Sequence, residues 1–226
     1  MRAALVTGGT SGIGLACARM LRRDGYGVAI CGRNEGRLER ASAELGEQTL
    51  AQRCDVARRD EVERLVAATV ERFGGLDVVV ACAGVGAFGQ TVEQIGDEEW
   101  ARVLAVNLTG AMHTLAACAA ELRRRRGYAF TVSSVAGKQG MAGSGAYSAS
   151  KWGLLGLTHS FIREEARHGV RATAICPGMV DTPMIGARRG GELLAPEDVA
   201  QTVRYCLGLS PVALVREIVL ERTAVA

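Results

Sequence analysis

A doubly wound α/β fold, with a parallel sheet covered by helices on both faces, is the architecture this sequence predicts. Three observations carry it. Apolar runs of strand length alternate with amphipathic helical stretches, no hairpin signal separates the early strands, and a cluster of glycines joins the first strand to the first helix. At 226 residues, 48% hydrophobic and 23% charged, the chain can bury one sizeable core and is short for two independent α/β units. Residues 1–226 are therefore read as a single domain.

Taken in order, Ala3-Ala4-Leu5-Val6 is a short apolar strand, and Leu15 to Leu21 has helical spacing and helix-forming residues. Tyr26 to Cys31 is a second strand, Glu35 to Leu45 an amphipathic helix ended by Gly46, and Thr49 to Cys54 a third strand. Asp60 to Phe73 forms a helix closed by Gly74-Gly75, and the β-branched run in Leu76 to Ala81 suits a strand buried on both faces. A long helix over Asp97 to Arg126, a strand over Tyr128 to Ser133, a second long helix over Ala146 to His168 and a strand over Val170 to Cys176 follow. The last strand lies within Val215 to Arg222, and no repeat or low-complexity linker interrupts the pattern.

Composition narrows the function classes. The formal charge is +3 and the arginines are scattered among acids, which gives nucleic-acid binding little electrostatic support. The run Arg123-Arg124-Arg125-Arg126 is read as a solvated helix C-terminus stopped by Gly127. Cysteines at 17, 31, 54, 82, 118, 176 and 206 form no C-x-x-C pair, and His113, His159 and His168 are isolated, so reduced thiols and no metal site are expected. No signal or transit segment is seen and no apolar run of spanning length, so a cytoplasmic protein without membrane contact is expected.

The segment Thr7-Gly8-Gly9-Thr10-Ser11-Gly12-Ile13-Gly14 sits between a strand and a helix. Glycines at 8, 12 and 14 permit a sharp turn, close backbone approach to a pyrophosphate and tight helix–strand packing, and the helix N-terminus offers free N–H groups. Tyr147 and Lys151 lie four apart on a helix and so share a face. Free tyrosine has a pKa near 10, and a nearby ammonium favours the phenolate, which makes Lys151 the expected tuner of Tyr147. Ser134, at the end of a strand, can donate to a carbonyl oxygen as charge develops on it.

With these residues in place the chain resembles the short-chain dehydrogenase/reductase family from about residue 2 to residue 220, through TGxxxGxG at Thr7 to Gly14 and Y-x-x-x-K at Tyr147 and Lys151. The resemblance implies a Rossmann-like sheet and an oxidoreductase that moves hydride between nicotinamide and a carbonyl or alcohol. Tyr147 would exchange the proton, Lys151 would also hold the nicotinamide ribose, Ser134 would fix the substrate oxygen and Asn107 would support a proton-relay water. The cofactor would lie against Gly8, Thr10, Ser11, Gly12, Ile13 and Gly14, then Asp55 and Val56 after the third strand, and Ala83 and Gly84 after the fourth. Pro177, Gly178, the backbone of Val180 and the hydroxyl of Thr182 would close over nicotinamide. Plainer roles stand beside these: Asn107 as a helix kink, Asp55 as an N-cap, Thr182 as a turn residue.

Cofactor choice rests on Cys31-Gly32-Arg33-Asn34, where no carboxylate follows the strand and Arg33 offers a planar fork to a 2′-phosphate. NADP(H) is preferred, while Glu35 keeps NAD(H) possible. Cys82-Ala83-Gly84 stands where the family usually has Asn-Ala-Gly, which predicts a lost strand tie and some loss of rigidity. The stretch Ile185 to Leu194 is a short glycine-rich lid carrying Arg188 and Arg189, and the C-terminus lacks the glycine-rich finish of many relatives. A homodimer or homotetramer is expected. The alternative function is a catalytically silent dinucleotide-binding regulator or redox sensor.

Overall fold

The structure, a computed structural model, describes residues 1–186 and 193–223. Its strands are β1 (Ala3–Thr7), β2 (Gly27–Gly32), β3 (Thr49–Arg53), β4 (Val78–Ala81), β5 (Tyr128–Val132), β6 (Arg171–Pro177) and β7 (Glu217–Leu220). They form one sheet in the order β3-β2-β1-β4-β5-β6-β7, every pairing parallel. Strand order reverses between β1 and β4, and in such sheets a crevice opens there at the carboxyl ends.

The helices are α1 (Gly12–Arg23), α2 (Glu35–Leu45), α3 (Arg59–Phe73), α4 (Asp97–Leu104), α5 (Gly110–Arg125), α6 (Gly145–Glu165) and α7 (Pro196–Gly208). Alternation along each strand decides which helices it meets. Val6, Ile30, Val80 and Phe130 pack with Leu21 of α1, Leu38 of α2 and Val203 of α7. Their neighbours Leu5, Ala29, Val79 and Ala129 pack on the opposite face with Leu65 of α3, Leu122 of α5 and Ile162 of α6. Each fully buried Leu, Ile, Val or Phe contributes about 1.5–3 kcal/mol, so these two layers dominate the fold's stability. The central strands β1, β4 and β5 are buried throughout, whereas the edge strands β3 and β7 are partly exposed.

The structure departs from the expected elements in three places. The helix expected over Asp97 to Arg126 is two helices joined by a π-turn, Ala105–Thr109, in which the Gly110 N–H reaches back to the Ala105 carbonyl. Gly110 makes this junction possible, because a Cβ there would lie 2.6 Å from the Val56 side chain. The combined stretch Asp97–Arg125 is, by length and composition, apolar enough to cross a membrane, contrary to expectation; Leu115, Cys118 and Leu122 bury its apolar face against the sheet and α3. Second, Arg126 and not Gly127 takes the left-handed cap of α5, with φ +49°. A Cβ on Gly127 would meet the Asp77 carbonyl oxygen at 2.5 Å, so that glycine serves close packing. The adjoining Arg123 is not merely solvated: it forms a bidentate pair with the buried Glu165 carboxylate, at 2.8 and 2.6 Å. Third, α7 was not predicted at all, although Pro196 at its start and Glu197 and Asp198 in its first turn are N-terminal signals.

Candidate active site

The glycine turn follows β1 at the crevice. Gly8 and Gly12 take φ of +68° and +49°, conformations that disfavour other residues. A Cβ at Gly14 would meet the Gly8 carbonyl oxygen at 2.3 Å, which shows how tightly α1 is set against the turn. Ser11 is the N-cap of α1 but makes no side-chain cap bond, and no acid occupies the first turn. The first N–H groups of α1, at Gly12, Ile13 and Gly14, are thus left to an anion. Thr10 folds against Gly32, where a Cβ would lie 2.9 Å from its methyl. A dinucleotide pyrophosphate fits this uncapped, glycine-lined helix start.

Beside Cys82, Thr7 ties the strand ends together. Its hydroxyl accepts the Cys82 N–H at 3.1 Å and the Ala83 N–H at 3.3 Å, joining the ends of β1 and β4. The Cys82 thiol is pushed up to about 12 by burial, with Lys151 pulling it down, so it stays neutral.

Tyr147 lies in the first turn of α6, close to Ser134, the residue after Ser133 at the carboxyl end of β5, whose hydroxyl favours the phenolate. The Ser134 hydroxyl also accepts from the Ala136 N–H at 3.1 Å, which orients it. Lys151, one turn on, is buried, with its Nζ 5.6 Å from the Tyr147 ring centroid. The expected lowering of the phenol by Lys151 is absent. Burial raises the Tyr147 pKa, the nearby Ser134 hydroxyl lowers it, and Cys82 raises it further. The ammonium is engaged instead by the Val132 carbonyl at 2.8 Å, and burial lowers Lys151 to about 8 against opposing contributions from Cys82 and Cys176.

Asn107 sits in the π-turn and is buried. Its Oδ1 accepts the Val85 N–H at 2.8 Å, and its Nδ2 donates to the Val85 carbonyl at 3.0 Å and to Ser150 Oγ at 3.1 Å. Ser150 in turn donates to the Tyr147 carbonyl at 2.7 Å. A polar chain therefore runs from the loop after β4, through Asn107, to the backbone of Tyr147. The Asn107 side chain acts as a clamp rather than a simple kink. Gly84 joins this group, since a Cβ there would lie 3.4 Å from Asn107 Oδ1 and 3.8 Å from Lys151 Nζ.

The far end of the crevice is looser. Arg33, just beyond β2, lies 3.9 Å from an oxygen of Asp55, and both side chains reach solvent. Asp55 does not cap α3, whose N-cap is Arg58; its other oxygen accepts the Ala57 N–H at 3.1 Å in a local turn. Val56 packs its side chain beside Gly110. Asn34 caps α2 through the Arg37 N–H, and Glu35 faces Arg53 at 3.8 Å.

Beyond β6, the Gly178 N–H bonds to the Leu220 carbonyl at 2.7 Å, fixing the loop after Pro177 to β7. Val180 bridges Leu194, and Thr182 lies over the glycine turn, 2.9 Å from where a Gly12 Cβ would be. The lid arginines Arg188 and Arg189 lie outside the described residues. Sequence reasoning missed Ser133, whose hydroxyl donates to the Lys151 carbonyl at 3.0 Å, as well as Ser150, Val85 and the Phe88 ring, 5.1 Å from that of Tyr147. Only Ser150 carried a local signal, three residues after Tyr147 on the same helix.

A crevice of this kind, with a tyrosine, a serine and a lysine beside a glycine turn, marks an oxidoreductase, and comparison with known proteins agrees. The short chain dehydrogenase family model matches residues 2–192, and the chain belongs to that family. It is 38% identical, over 91% of its own length and 89% of the relative's, to a Streptomyces coelicolor protein provisionally named a ketoacyl reductase. A Staphylococcus epidermidis relative, named only as an oxidoreductase, is 33% identical over 91% of this chain and 90% of its own. Among solved structures, an alcohol dehydrogenase from the archaeon Thermococcus sibiricus complexed with 5-hydroxy-NADP superposes with a TM-score of 0.90 at 35% identity, over 97% of this chain and 96% of that one. A 3-ketoacyl-(acyl-carrier-protein) reductase from Brucella melitensis complexed with NADH shares the fold at a TM-score of 0.92 and 24% identity, over the same shares of the two chains.

Proposed function

We propose that this protein is an NADP(H)-dependent reductase of ketones or aldehydes, with Tyr147 as the proton donor. The observation that carries this is the gathering of Tyr147, Ser134 and the buried Lys151 at the carboxyl edge of the sheet, beside an uncapped helix start. The nicotinamide ring of the bound cofactor supplies the hydride. The Ser134 hydroxyl donates to the carbonyl oxygen of the substrate and holds it against the phenol. Tyr147 transfers its proton to that oxygen as negative charge develops there. Burial raises the phenol's pKa, so the proton to be donated is in place at neutral pH.

Lys151 anchors the ribose edge from its buried position, and its return to charge control over Tyr147 requires release from Val132. The Asn107 clamp holds Tyr147 in place through Ser150. First-turn N–H groups of α1 receive the pyrophosphate. Arg33 receives the 2′-phosphate of NADP(H), exchanging its distant Asp55 partner for a closer anion. The Thermococcus sibiricus structure, complexed with an NADP derivative, supports the same preference. A dimer or tetramer built on the helices that carry Asn107 and Tyr147 goes with this function; Trp152, exposed on α6, supports it.

Steady-state oxidation of NADPH and NADH by the purified protein, across ketones, aldehydes, diketones and 3-oxoacyl esters, tests the proposal. Turnover with a preference for NADPH is expected. Tight cofactor binding with no turnover in either direction would instead favour the silent regulator.

A further inference from the structure

The loop between β4 and α4 carries a side chain that no motif singles out. Phe88 places its ring 5.1 Å from that of Tyr147, centroid to centroid, at 54° between planes. Aromatic residues make up only 4% of the chain. The other ring pair among the described residues, Tyr128 with Phe130, is fully buried in the core, whereas Phe88 keeps part of its surface open. A half-open phenylalanine against the phenol that faces the reacting oxygen is not explained by core packing.

The loop holds the ring firmly. Phe88 folds back over Gly86, where a Cβ would lie 2.3 Å from the ring, so a side chain there would push the ring aside. The Gly89 N–H donates to the Gly143 carbonyl at 2.7 Å, and Gln90 forms a bridge with Ser144, just before α6. On its other side, Arg102 of α4 donates to the Gly86 carbonyl at 3.4 Å. The ring is thus pinned to the same helix start that carries Tyr147. Two flexible apolar side chains, Met141 and Met184, are exposed on neighbouring loops at this edge, and the Met184 methyl lies 3.7 Å from where a Gly84 Cβ would be. Methionine adapts to irregular apolar partners and contacts aromatic rings favourably.

We propose that Phe88 is a specificity-determining residue: it forms one wall of the substrate pocket and selects carbonyl compounds that bear a planar aromatic or conjugated group on the carbonyl carbon. This rests on the reductase function proposed above. A group attached to a carbonyl whose oxygen meets Tyr147 and Ser134 extends alongside the neighbouring ring. A flat π-system stacks or meets it edge-on with favourable geometry, whereas a small alkyl group leaves the wall uncovered and a carboxylate is desolvated against it.

The test compares acetophenone with butanone as substrates of the wild-type protein and of Phe88→Leu, which keeps an apolar side chain and removes the ring. Circular dichroism verifies folding, and Phe88→Ala serves as the second variant. The wild type is expected to favour acetophenone, and Phe88→Leu to lower the acetophenone-to-butanone ratio of kcat/KM by about threefold to tenfold, chiefly through the acetophenone KM. An unchanged ratio, with both substrates falling together, would overturn the proposal and leave Phe88 a packing partner of Tyr147. A second readout is independent of turnover: calorimetric binding of 1-phenylethanol and of 2-butanol to the protein with NADPH, a pairing of alcohol and reduced cofactor that cannot react. Tighter binding of the aryl alcohol, diminished in Phe88→Leu, supports the wall; equal binding in both proteins contradicts it. If neither ketone nor any carbonyl of the wider panel turns over while this difference holds, the reductase proposal fails and with it the selection of carbonyl substrates, leaving Phe88 only as an aryl-binding wall.

Discussion

The two ends of the crevice are built on opposite principles. At one end Asn107, Ser150 and the Tyr147 carbonyl are joined by hydrogen bonds and the Lys151 ammonium is held by the Val132 carbonyl, with Asn107, Ser150 and Lys151 buried. At the other, Arg33 and Asp55 face each other across 3.9 Å with both side chains reaching solvent. A buried polar group left without its partner costs about 1–3 kcal/mol, whereas an exposed pair at such a separation contributes little. The difference suggests a division of labour. The end assigned to chemistry is held in one arrangement, and the end assigned to cofactor choice is free to exchange one partner for another.

The largest expected effect breaks the rigid end. Asn107→Leu leaves the Val85 N–H and carbonyl without their side-chain partners and removes the donor to Ser150. A stability loss of about 2–4 kcal/mol in chemical denaturation is expected, together with a fall in turnover. Asn107→Asp, which retains an acceptor for the Val85 N–H, should lose less stability. Equal stability in wild type and Asn107→Leu would show that the clamp is not a structural element.

Lys151 sharpens the comparison through pH. Its folded-state pKa of about 8 lies below the ordinary 10.5, so the unfolded chain binds more protons between those values. The penalty for burying the charge is complete below pH 8 and fades as pH rises toward 10.5. Wild-type stability should therefore rise relative to Lys151→Met across that window, by on the order of 3 kcal/mol at most. Parallel pH profiles in urea denaturation would contradict a depressed lysine.

At the loose end, Arg33→Ala should weaken NADPH binding by about tenfold while changing NADH binding little, with no loss of stability. Equal weakening of both cofactors would remove Arg33 as a phosphate reader. The smallest effect belongs to Thr7→Val, which deprives the Cys82 and Ala83 N–H groups of their acceptor. About 1 kcal/mol of stability is at stake there, measurable as a shift of the denaturation midpoint.

Local signals made much of this legible in the sequence. The strand, glycine turn and helix start at Thr7 to Gly14 are contiguous, and the four-residue spacing of Tyr147 and Lys151 places them on one face of α6. What depends on distant partners was not legible. Lys151 was expected to tune the phenol, but which carbonyl takes its ammonium follows from the β5 and α6 packing that brings Val132 to it. The π-turn follows from Gly110 meeting Val56 and from Asn107 meeting Val85, contacts between segments more than 20 residues apart in sequence. Thr7 was read as part of the glycine turn, and its tie to Cys82 emerged only once β1 and β4 were neighbours. In α7 the N-terminal signals at Pro196, Glu197 and Asp198 are local and legible.

The central claim is that Tyr147 supplies the proton in an NADP(H)-dependent carbonyl reduction. Its most direct test is ketone-dependent oxidation of NADPH by Tyr147→Phe beside the wild type, with NADPH binding measured on the same preparations. Removal of the phenol hydroxyl should lower turnover by about a hundredfold or more and leave the NADPH dissociation constant nearly unchanged. Turnover preserved in Tyr147→Phe would contradict the account.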